Sequence, residues 1–264
     1  MMKARISVLM GVYNCASTLE QALDSLYCQT YKDFKIIICD DGSCDGTYDI
    51  VKLYAAKYDN IIAIQNQRNM GLNYTLNRCI EYADTEYCAR MDGDDISMPT
   101  RFEKEITFLD NNPDYSIVST PMIHFDEDGD FKVGTAIQCP DKDSFVKGTP
   151  ICHAPCMVRT IALKNVGGYS DDEYLRRVED YHLWFKMYAA GYKAYNLQEP
   201  LYKMRDDRNA YMRRNWKNRR NEMYVKYIGF KMLGIRWYKR IYIIRPLILF
   251  LLPSFIYNYL HRKR

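Results

Sequence analysis

Three carboxylates fall within four positions in RMDGDD, residues 90–95, directly after a run that reads as a buried strand. Like charges this close repel one another, so the stretch calls for a positive partner. Asp92 and Asp94 form a D-x-D pair, whose oxygens suit a hard divalent cation such as Mg²⁺ or Mn²⁺ that also holds substrate phosphates. An ordinary turn, with Asp95 or Ser97 capping the next helix, explains the same residues without a ligand.

Two further acidic pairs have similar alternatives. CDDGSCDGT, residues 39–47, follows an apolar run. A carboxylate at such a strand end is well placed to accept N–H donors from a nucleoside, although D-G is also a strong turn signal. In RVEDYHLW, Glu179 and Asp180 open a helix, where the helix dipole favours carboxylates. Either carboxylate becomes a general base if it reaches an acceptor hydroxyl.

The patterns in the first 120 residues alternate between strand and helix. We predict strands at residues 5–10, 34–39, 61–65, 86–91 and 116–119. We predict four helices. The first begins at residue 17 with a Ser17–Glu20 capping box, and the second ends near residue 57. The third spans residues 71–83 and the fourth residues 99–109. This alternation predicts an α/β fold with a parallel sheet and helices on both faces.

In such a sheet, ligands bind beyond the carboxyl ends of the strands. The loops after Met10, Cys39 and Met91 should therefore open onto one edge and bring their aspartates into one cleft. After residue 120 the pattern indicates a β-hairpin around DEDGDF and a helix from Glu179 that ends at Gly191.

Several classes of protein are disfavoured. No G-x-G-x-x-G follows the first strand and no P-loop motif occurs, which argues against a dinucleotide-binding domain and a P-loop NTPase. The nine cysteines include no C-x-x-C pair, and Cys152, His153 and Cys156 lack a second ligand pair for zinc. Free thiols in a reducing cytosol are the expectation, and the apolar run at the N-terminus is too short for a signal peptide.

Charge is distributed unevenly along the chain. From Leu201 onward there are 17 Lys and Arg against 3 Asp and Glu, a net of +14. The apolar run between Ile241 and Leu260 is interrupted by Arg245, Pro246 and Pro253, so helices lying in a membrane interface fit it better than one spanning helix. A core helix pair or a dimer interface is the alternative, and the apolar density argues against a nucleic-acid partner.

The order of these motifs resembles the family 2 inverting glycosyltransferases with the GT-A fold. The resemblance covers roughly residues 4–205, from SVLMGVYN through IIICDDGS, ARMDGDD and HAPCMVRTIALKNVGGY to EDYHLW. It is nearest to bacterial enzymes that build capsule, O-antigen or exopolysaccharide. It implies a GT-A nucleotide-diphospho-sugar transferase domain at residues 1–205, with a nucleotide-binding half (1–120) and an acceptor-binding half (121–205). Residues 206–264 would form a basic, aromatic, amphipathic helical tail.

The resemblance also implies roles for individual residues. Asp180 would be the catalytic base with Glu179 beside it, and Asp92 and Asp94 would hold Mn²⁺ or Mg²⁺, with Asp95 in support. The implied nucleotide-binding residues are Gly11, Tyr13, Asn14, Asp40, Asp41, Arg68, Asp92 and Gly93. The candidate acceptor or phosphate contacts are His153, Trp184, Lys203 and Arg205.

The expected reaction moves one sugar from a nucleotide-sugar, by the resemblance a UDP-sugar, to a glycan or polyprenyl-diphosphate-linked acceptor. The absence of Q-x-x-R-W argues for single transfer rather than polymerisation. The enzyme would be cytoplasmic and peripheral on the inner face of the bacterial plasma membrane, attracted by anionic lipid. The rival readings are a GT-A-fold nucleotidyltransferase, which would carry a Gly-rich basic signature near the first strand, and a non-catalytic membrane-associated scaffold.

Overall fold

The computed structural model describes residues 4–206 and 215–251. Its larger sheet has seven strands in the order β10-β6-β9-β4-β1-β2-β3, and a smaller sheet has the order β5-β11-β7-β8. The strands are β1 (Ile6–Val12), β2 (Phe34–Asp40), β3 (Ile61–Gln65), β4 (Tyr87–Arg90), β5 (Ile96–Ser97), β6 (Ile117–Ser119), β7 (Met122–Asp126), β8 (Gly129–Val133), β9 (Met157–Arg159), β10 (Ala194–Asn196) and β11 (Tyr202–Arg205).

Eight α-helices and three short 3₁₀ helices accompany these strands in the described residues. The α-helices are α1 (Leu19–Tyr27), α2 (Thr47–Lys57), α3 (Leu72–Glu81), α4 (Arg101–Asn111), α5 (Thr160–Asn165), α6 (Glu179–Ala189), α7 (Trp216–Met232) and α8 (Arg245–Leu251). The 3₁₀ helices are η1 (Lys142–Val146), η2 (Glu173–Leu175) and η3 (Trp237–Ile244).

The larger sheet is mostly parallel, as predicted. β1 pairs in parallel with β2 and β4, and β2 with β3, whereas β9 runs antiparallel between β4 and β6. β1 and β2 are continuous apolar runs because helices cover both faces of the sheet. The hairpin expected around DEDGDF is confirmed as β7 and β8.

The predicted common edge of the sheet is confirmed. Val12 at the end of β1 is in register with Asp40 at the end of β2, and the Asp41 N–H donates to the Val12 carbonyl (2.8 Å). On the other side of β1, the Met91 N–H donates to the Leu9 carbonyl (3.2 Å). The loops after β1, β2 and β4 therefore leave neighbouring strands at one edge.

The predicted capping box at the start of the first helix is wrong. α1 begins at Leu19 behind Thr18, and no side chain caps it. The Thr18 hydroxyl instead donates to the carbonyls of Cys15 (3.2 Å) and Gly93 (3.0 Å). A tertiary contact to the D-x-D loop has thus displaced the local cap.

The C-terminal segment packs on the body of the protein through α7. Val225 and Phe230 are fully buried and join the core cluster that contains Trp184 and Phe185 of α6. A Cβ atom at Gly229 would lie 2.3 Å from the Phe185 ring, so this close helix approach requires glycine.

The end of the described segment has a different character. η3 and α8 leave Trp237, Ile241 and Leu251 at least 65% exposed. No helix within residues 4–206 and 215–251 combines the length and apolar character needed to cross a bilayer. Pro253 and the last apolar residues of the predicted tail lie outside the described residues.

Candidate active site

A cavity of about 440 Å³ opens at the confirmed edge of the sheet. Four sequence-predicted site residues line it: Gly11, Tyr13, Asp41 and Glu179. The loop before α3 and the start of that helix form one wall, and residues just before α6 form another. The structure therefore brings the loops after β1 and β2 together with the Glu179–Asp180 pair, which lies far away in sequence.

The Asp41 carboxylate shapes the wall of this cavity. It accepts hydrogen bonds from the Asn66 side-chain amide (2.7 Å) and from the backbone N–H groups of Met70 (2.8 Å) and Gly71 (2.9 Å). These donors fix the loop that leads into α3. Asp41 thus holds the cavity wall and also lines the cavity.

Asp40 points into its own turn. Its carboxylate accepts from the Ser43 hydroxyl and the Ser43 N–H (3.2 Å), and from the Gln65 amide (3.1 Å). This is the turn chemistry that the D-G signal indicated. Its contribution to nucleotide binding stays a prediction.

Asn14 and Arg68 flank the same turn. Asn14 adopts a φ of +47°, donates its N–H to the Ser43 hydroxyl (2.9 Å), and accepts at its side-chain oxygen from the Cys44 N–H (3.0 Å). The backbone of Arg68 packs directly against Gly42, and its side chain is exposed. Both residues border the turn after β2, and their nucleotide contacts stay predictions.

The D-x-D loop lies against the loop after β1. A Cβ atom at Gly93 would approach the Cys15 sulfur to 2.8 Å, so a side chain there would force Cys15 to move. The Asp92 carboxylate forms an ion pair with Arg90, and its backbone N–H donates to the Tyr202 hydroxyl (3.1 Å). Asp94 is solvent-accessible, and loss of hydration in the site together with the Asp92 charge raises its pKa.

Asp95 is buried and plays a supporting part. It accepts from the Arg205 backbone N–H (2.7 Å), and burial with the charges of Asp92 and Asp94 raises its pKa to about 8. The Arg205 side chain donates to the Asp94 carbonyl (3.0 Å) and to Gln21 (2.7 Å). Arg205 thus braces the D-x-D loop through its backbone and its guanidinium.

Lys203 points elsewhere from the same strand. Its ammonium pairs with Asp130 on β8 at 2.8 Å. This pair links the two strands that flank β7 in the smaller sheet. A phosphate contact by Lys203 would require it to exchange this partner, and its proposed role stays a prediction.

Glu179 and Asp180 open α6 and are both partly buried. Burial, with a smaller contribution from the Glu179 charge, raises the pKa of Asp180 to about 7. Burial also raises the pKa of Glu179, while backbone N–H groups and the charges of Arg177 and Arg90 oppose the rise. A carboxyl group that changes charge near neutral pH is suited to accept a proton.

His153 and Trp184 pack against each other, and Trp184 lies one helical turn after Asp180 in α6. The His153 ring contacts Trp184 edge-to-face at 6.0 Å between centroids, and its Nε2 lies 2.6 Å from the Tyr169 hydroxyl. Burial and the nearby Arg90 charge lower the pKa of His153 well below its usual value. Trp184 is fully buried, and its indole N–H has no hydrogen-bond partner in the described residues. Both are packing residues in this geometry, and acceptor contacts by either stay predictions.

The D-x-D pair fits a divalent cation. Within the part of the chain that the structure describes, no three His, Cys, Asp or Glu side chains form a metal-binding group. A cation held here would therefore take ligands from Asp92 and Asp94 and complete its shell with phosphate and water, as Mg²⁺ does. Loss of hydration and the Asp92 charge raise the pKa of Asp94, and a bound cation would oppose both effects.

Comparisons with known proteins identify the family. The family model described as glycosyl transferase family 2 matches residues 7–165. The chain belongs to this family. EpsE of Bacillus subtilis (strain 168), which is named as a glycosyltransferase, is 40% identical over 98% of this chain and 94% of its own length.

Two further comparisons add detail. A UDP-Gal:alpha-D-GlcNAc-diphosphoundecaprenol beta-1,3-galactosyltransferase of Escherichia coli is 31% identical over 98% of this chain and 96% of its own length. The solved structure of the mannosyltransferase PcManGT from Pyrobaculum calidifontis, in complex with GDP-Man and Mn²⁺, matches with a TM-score of 0.66 and 17% identity. It covers 94% of this chain and 75% of that one. The GT-A fold predicted from the sequence is thus confirmed, and the chain is a glycosyltransferase.

Sequence reasoning missed three arginines of this site. Arg176 and Arg177 line the cavity beside Glu179. Arg90 is almost fully buried, bonds Asp92 and the Met91 carbonyl, and acts electrostatically on Glu179 and Asp180. Their positions in the sequence could have indicated them, since one arginine shortly precedes the D-x-D stretch and two shortly precede the E-D pair.

Proposed function

We propose that this glycosyltransferase moves a single hexosyl or hexosaminyl unit from a UDP-sugar to a hydroxyl group of a lipid-linked sugar, with inversion at the anomeric carbon. The observation that carries the proposal is Asp180, a carboxyl group with a pKa raised to about 7, beside a cavity walled by Gly11, Tyr13 and Asp41. In this proposal the base and the donor site are adjacent.

The reaction at this site is a single displacement. The Asp180 carboxylate takes the proton of the acceptor hydroxyl, whose oxygen bonds to the anomeric carbon. The bond from that carbon to the β-phosphate oxygen breaks on the opposite face, and UDP leaves. Because attack and departure occur on opposite faces, the anomeric configuration inverts.

Asp92 and Asp94 would hold Mn²⁺ or Mg²⁺ in this proposal. When bound, the cation would neutralise negative charge that develops on the leaving diphosphate. The chain's own contribution is to keep the two carboxylates in place. Arg90 pairs with Asp92, while Arg205 fixes the Asp94 carbonyl and the buried Asp95.

The acceptor class is supported by the relatives. The galactosyltransferase is named for a diphosphoundecaprenol-linked acceptor. A polyprenyl-diphosphate-linked sugar on the inner leaflet therefore suits this chain, in the biosynthesis of a capsule, O-antigen or exopolysaccharide. The candidate acceptor contacts in this proposal are His153 and Trp184, which pack against each other.

The C-terminal segment would then keep the enzyme at the membrane surface. Trp237 and Ile241 of η3 are 81% and 65% exposed, beside basic residues of the same segment. Aromatic and apolar groups flanked by Arg and Lys are typical of interfacial attachment to anionic bilayers. We therefore place the enzyme as a peripheral protein on the inner face of the bacterial plasma membrane.

The donor, the acceptor and the stereochemistry can be tested together. The purified chain is incubated with UDP-, GDP- and dTDP-sugars and a diphosphoundecaprenol-linked sugar, with and without Mn²⁺, and nucleotide release and product configuration are measured. We expect UDP release, metal dependence and an inverted product. A retained configuration, or release from GDP- or dTDP-sugars alone, contradicts the proposal. Release of pyrophosphate from a nucleoside triphosphate and a sugar phosphate would favour a nucleotidyltransferase.

Membrane attachment has its own test. The double change Trp237→Ala and Ile241→Ala should reduce sedimentation with phosphatidylglycerol-containing vesicles and leave UDP release from a short soluble acceptor unchanged. Leu53→Ala removes a similarly exposed apolar side chain (61%) from α2 and serves as the matched control. A double variant that binds vesicles normally but changes oligomeric state in light scattering would assign the surface to a homodimer instead.

A further inference from the structure

Two arginines that line the cavity have no hydrogen-bond or ion-pair partner among the described residues, although the Arg177 charge acts on Glu179. Arg176 and Arg177 line the cavity together with residues of the loop after β1 and the start of α3. Both side chains are exposed, and among the described residues neither guanidinium is hydrogen-bonded or ion-paired. Two positive charges held side by side at a cavity mouth indicate an anionic ligand.

The backbone at this point is held in an unusual conformation. Arg177 has a φ of +69°, in the left-handed region that a residue other than glycine rarely adopts. Such strain persists where the surrounding structure enforces it, and it is concentrated at ligand sites. Arg177 lies directly before Val178, the residue that precedes α6, so its side chain is set close in sequence to Glu179.

Neighbouring helices clamp the arginine segment at both ends. On one side, the Asn73 amide of α3 donates to the Ser170 carbonyl (3.1 Å) and to Asp171 (3.2 Å). On the other side, the buried Asn221 amide of α7 donates to the Arg176 carbonyl (3.0 Å). The backbone that presents the two guanidinium groups is therefore fixed before any ligand arrives.

The other charged groups of the cavity already have partners. Three N–H donors meet the charge of Asp41, and backbone N–H groups stabilise the Glu179 carboxylate. The guanidinium fork matches the oxygens of a phosphate and can bond two of them at once. Resting on the proposed nucleotide-sugar donor, we infer that Arg176 and Arg177 form a diphosphate-binding element, and that Asn221 of α7 is its positioning residue.

Two phosphate sources share this chemistry, the nucleotide donor and a lipid-diphosphate acceptor. The cavity walls favour the nucleotide, because they are built from the loops after β1 and β2. Arg177→Gly is the sharpest probe, since glycine adopts this φ without strain and the change removes the guanidinium together with its side chain. Titration calorimetry then compares the affinity of the variant and the wild type for UDP and for uridine.

The expected result is that Arg177→Gly weakens UDP binding roughly 10- to 100-fold and leaves uridine binding unchanged. Arg177→Lys should lose less, because it keeps the charge without the fork. Asn221→Ala should raise the KM for the UDP-sugar more than it lowers kcat. Lys193→Ala, which removes an exposed charge elsewhere, is the control and should bind UDP normally.

Each alternative outcome has a meaning. If UDP affinity is kept but the KM rises for a diphosphate-linked acceptor and not for a phosphate-free one, the element binds the lipid diphosphate. If Arg177→Gly changes none of these quantities, or weakens uridine and UDP equally, the inference is overturned. A wild-type chain that binds no UDP overturns the proposed donor, and the inference with it.

Discussion

The acidic loops after β2 and after β4 occupy comparable places at the sheet edge and have opposite surroundings. At Asp40 and Asp41, each carboxylate accepts hydrogen bonds from side chains and backbone N–H groups. At Asp94 and Asp95, loss of hydration and neighbouring carboxylates, Asp92 for both and Asp94 for Asp95, raise the pKa of the carboxyl groups. The carboxylates after β2 hold the cavity wall through hydrogen bonds. After β4, the Asp94 carboxylate is exposed and is the one proposed to bind a ligand.

The Glu179–Asp180 pair resembles the loop after β4 in this respect. Its carboxyl groups are raised in pKa, chiefly by burial. Holding charge in this way costs folding free energy, and such sites recur where ligands or protons are handled. The comparison therefore separates carboxylates that are satisfied by hydrogen bonds from carboxylates whose pKa is raised, and the second group holds the residues proposed to act in the reaction.

The largest expected effect is at Asp180. Asp180→Asn should lower kcat by roughly 10²- to 10⁴-fold, the range for a lost general base, because the amide cannot take the proton. UDP affinity should stay near the wild-type value, since Asp180 does not line the donor cavity. Stopped assays of UDP release with calorimetry on the same variant check this, with Asp114→Asn as an exposed control. Near-normal turnover would assign the base to another residue.

Asp94→Asn comes next and tests the loop after β4. Activity should fall roughly 10²-fold or more, the several kcal/mol that a metal supplies to the developing charge. In EDTA the melting temperature should rise slightly, because the change removes a carboxylate whose charge is opposed by the neighbouring Asp92 and by partial loss of hydration. Full activity of the wild type in EDTA would contradict the assignment of Asp94 as a metal ligand. A melting temperature of Asp94→Asn below that of the wild type in EDTA would contradict it as well.

The pH dependence follows from the raised pKa of Asp180. Because only the deprotonated form accepts a proton, kcat/KM should fall about tenfold per unit below pH 7 and level off above it. For folding the sign is opposite. The stabilisation from a protonated Asp180 is fully present below about pH 4, its unfolded pKa, and is lost as pH rises through about 7. A kcat/KM profile that is flat between pH 5 and pH 8 would show that Asp180 is not the titrating base.

Most of this architecture was accessible from the sequence. The strand of residues 61–65 was predicted with its exact bounds, and the shared sheet edge followed from the rule for parallel strands. The local cap at Ser17 was not predictable, because the competing partner of Thr18 is the carbonyl of Gly93, far along the chain. The position of Arg176 and Arg177 at the cavity could not be predicted either, because it depends on contacts of their segment with α3 and α7.

The smallest effect, and the one that most sharpens the comparison, is expected at Asp41. Asp41→Asn keeps the shape but replaces two charged acceptor oxygens with one neutral one, so the Met70 and Gly71 N–H groups both lose a charged partner and at least one loses its acceptor. Hydrogen bonds to charged groups contribute roughly 1.5–3 kcal/mol, so the free energy of unfolding should fall by about that amount in urea titration. Asp94→Asn changes stability in the other direction, so the two variants form a matched pair. If Asp41→Asn leaves stability unchanged and only weakens UDP binding, the loop after β2 serves the ligand as directly as the loop after β4.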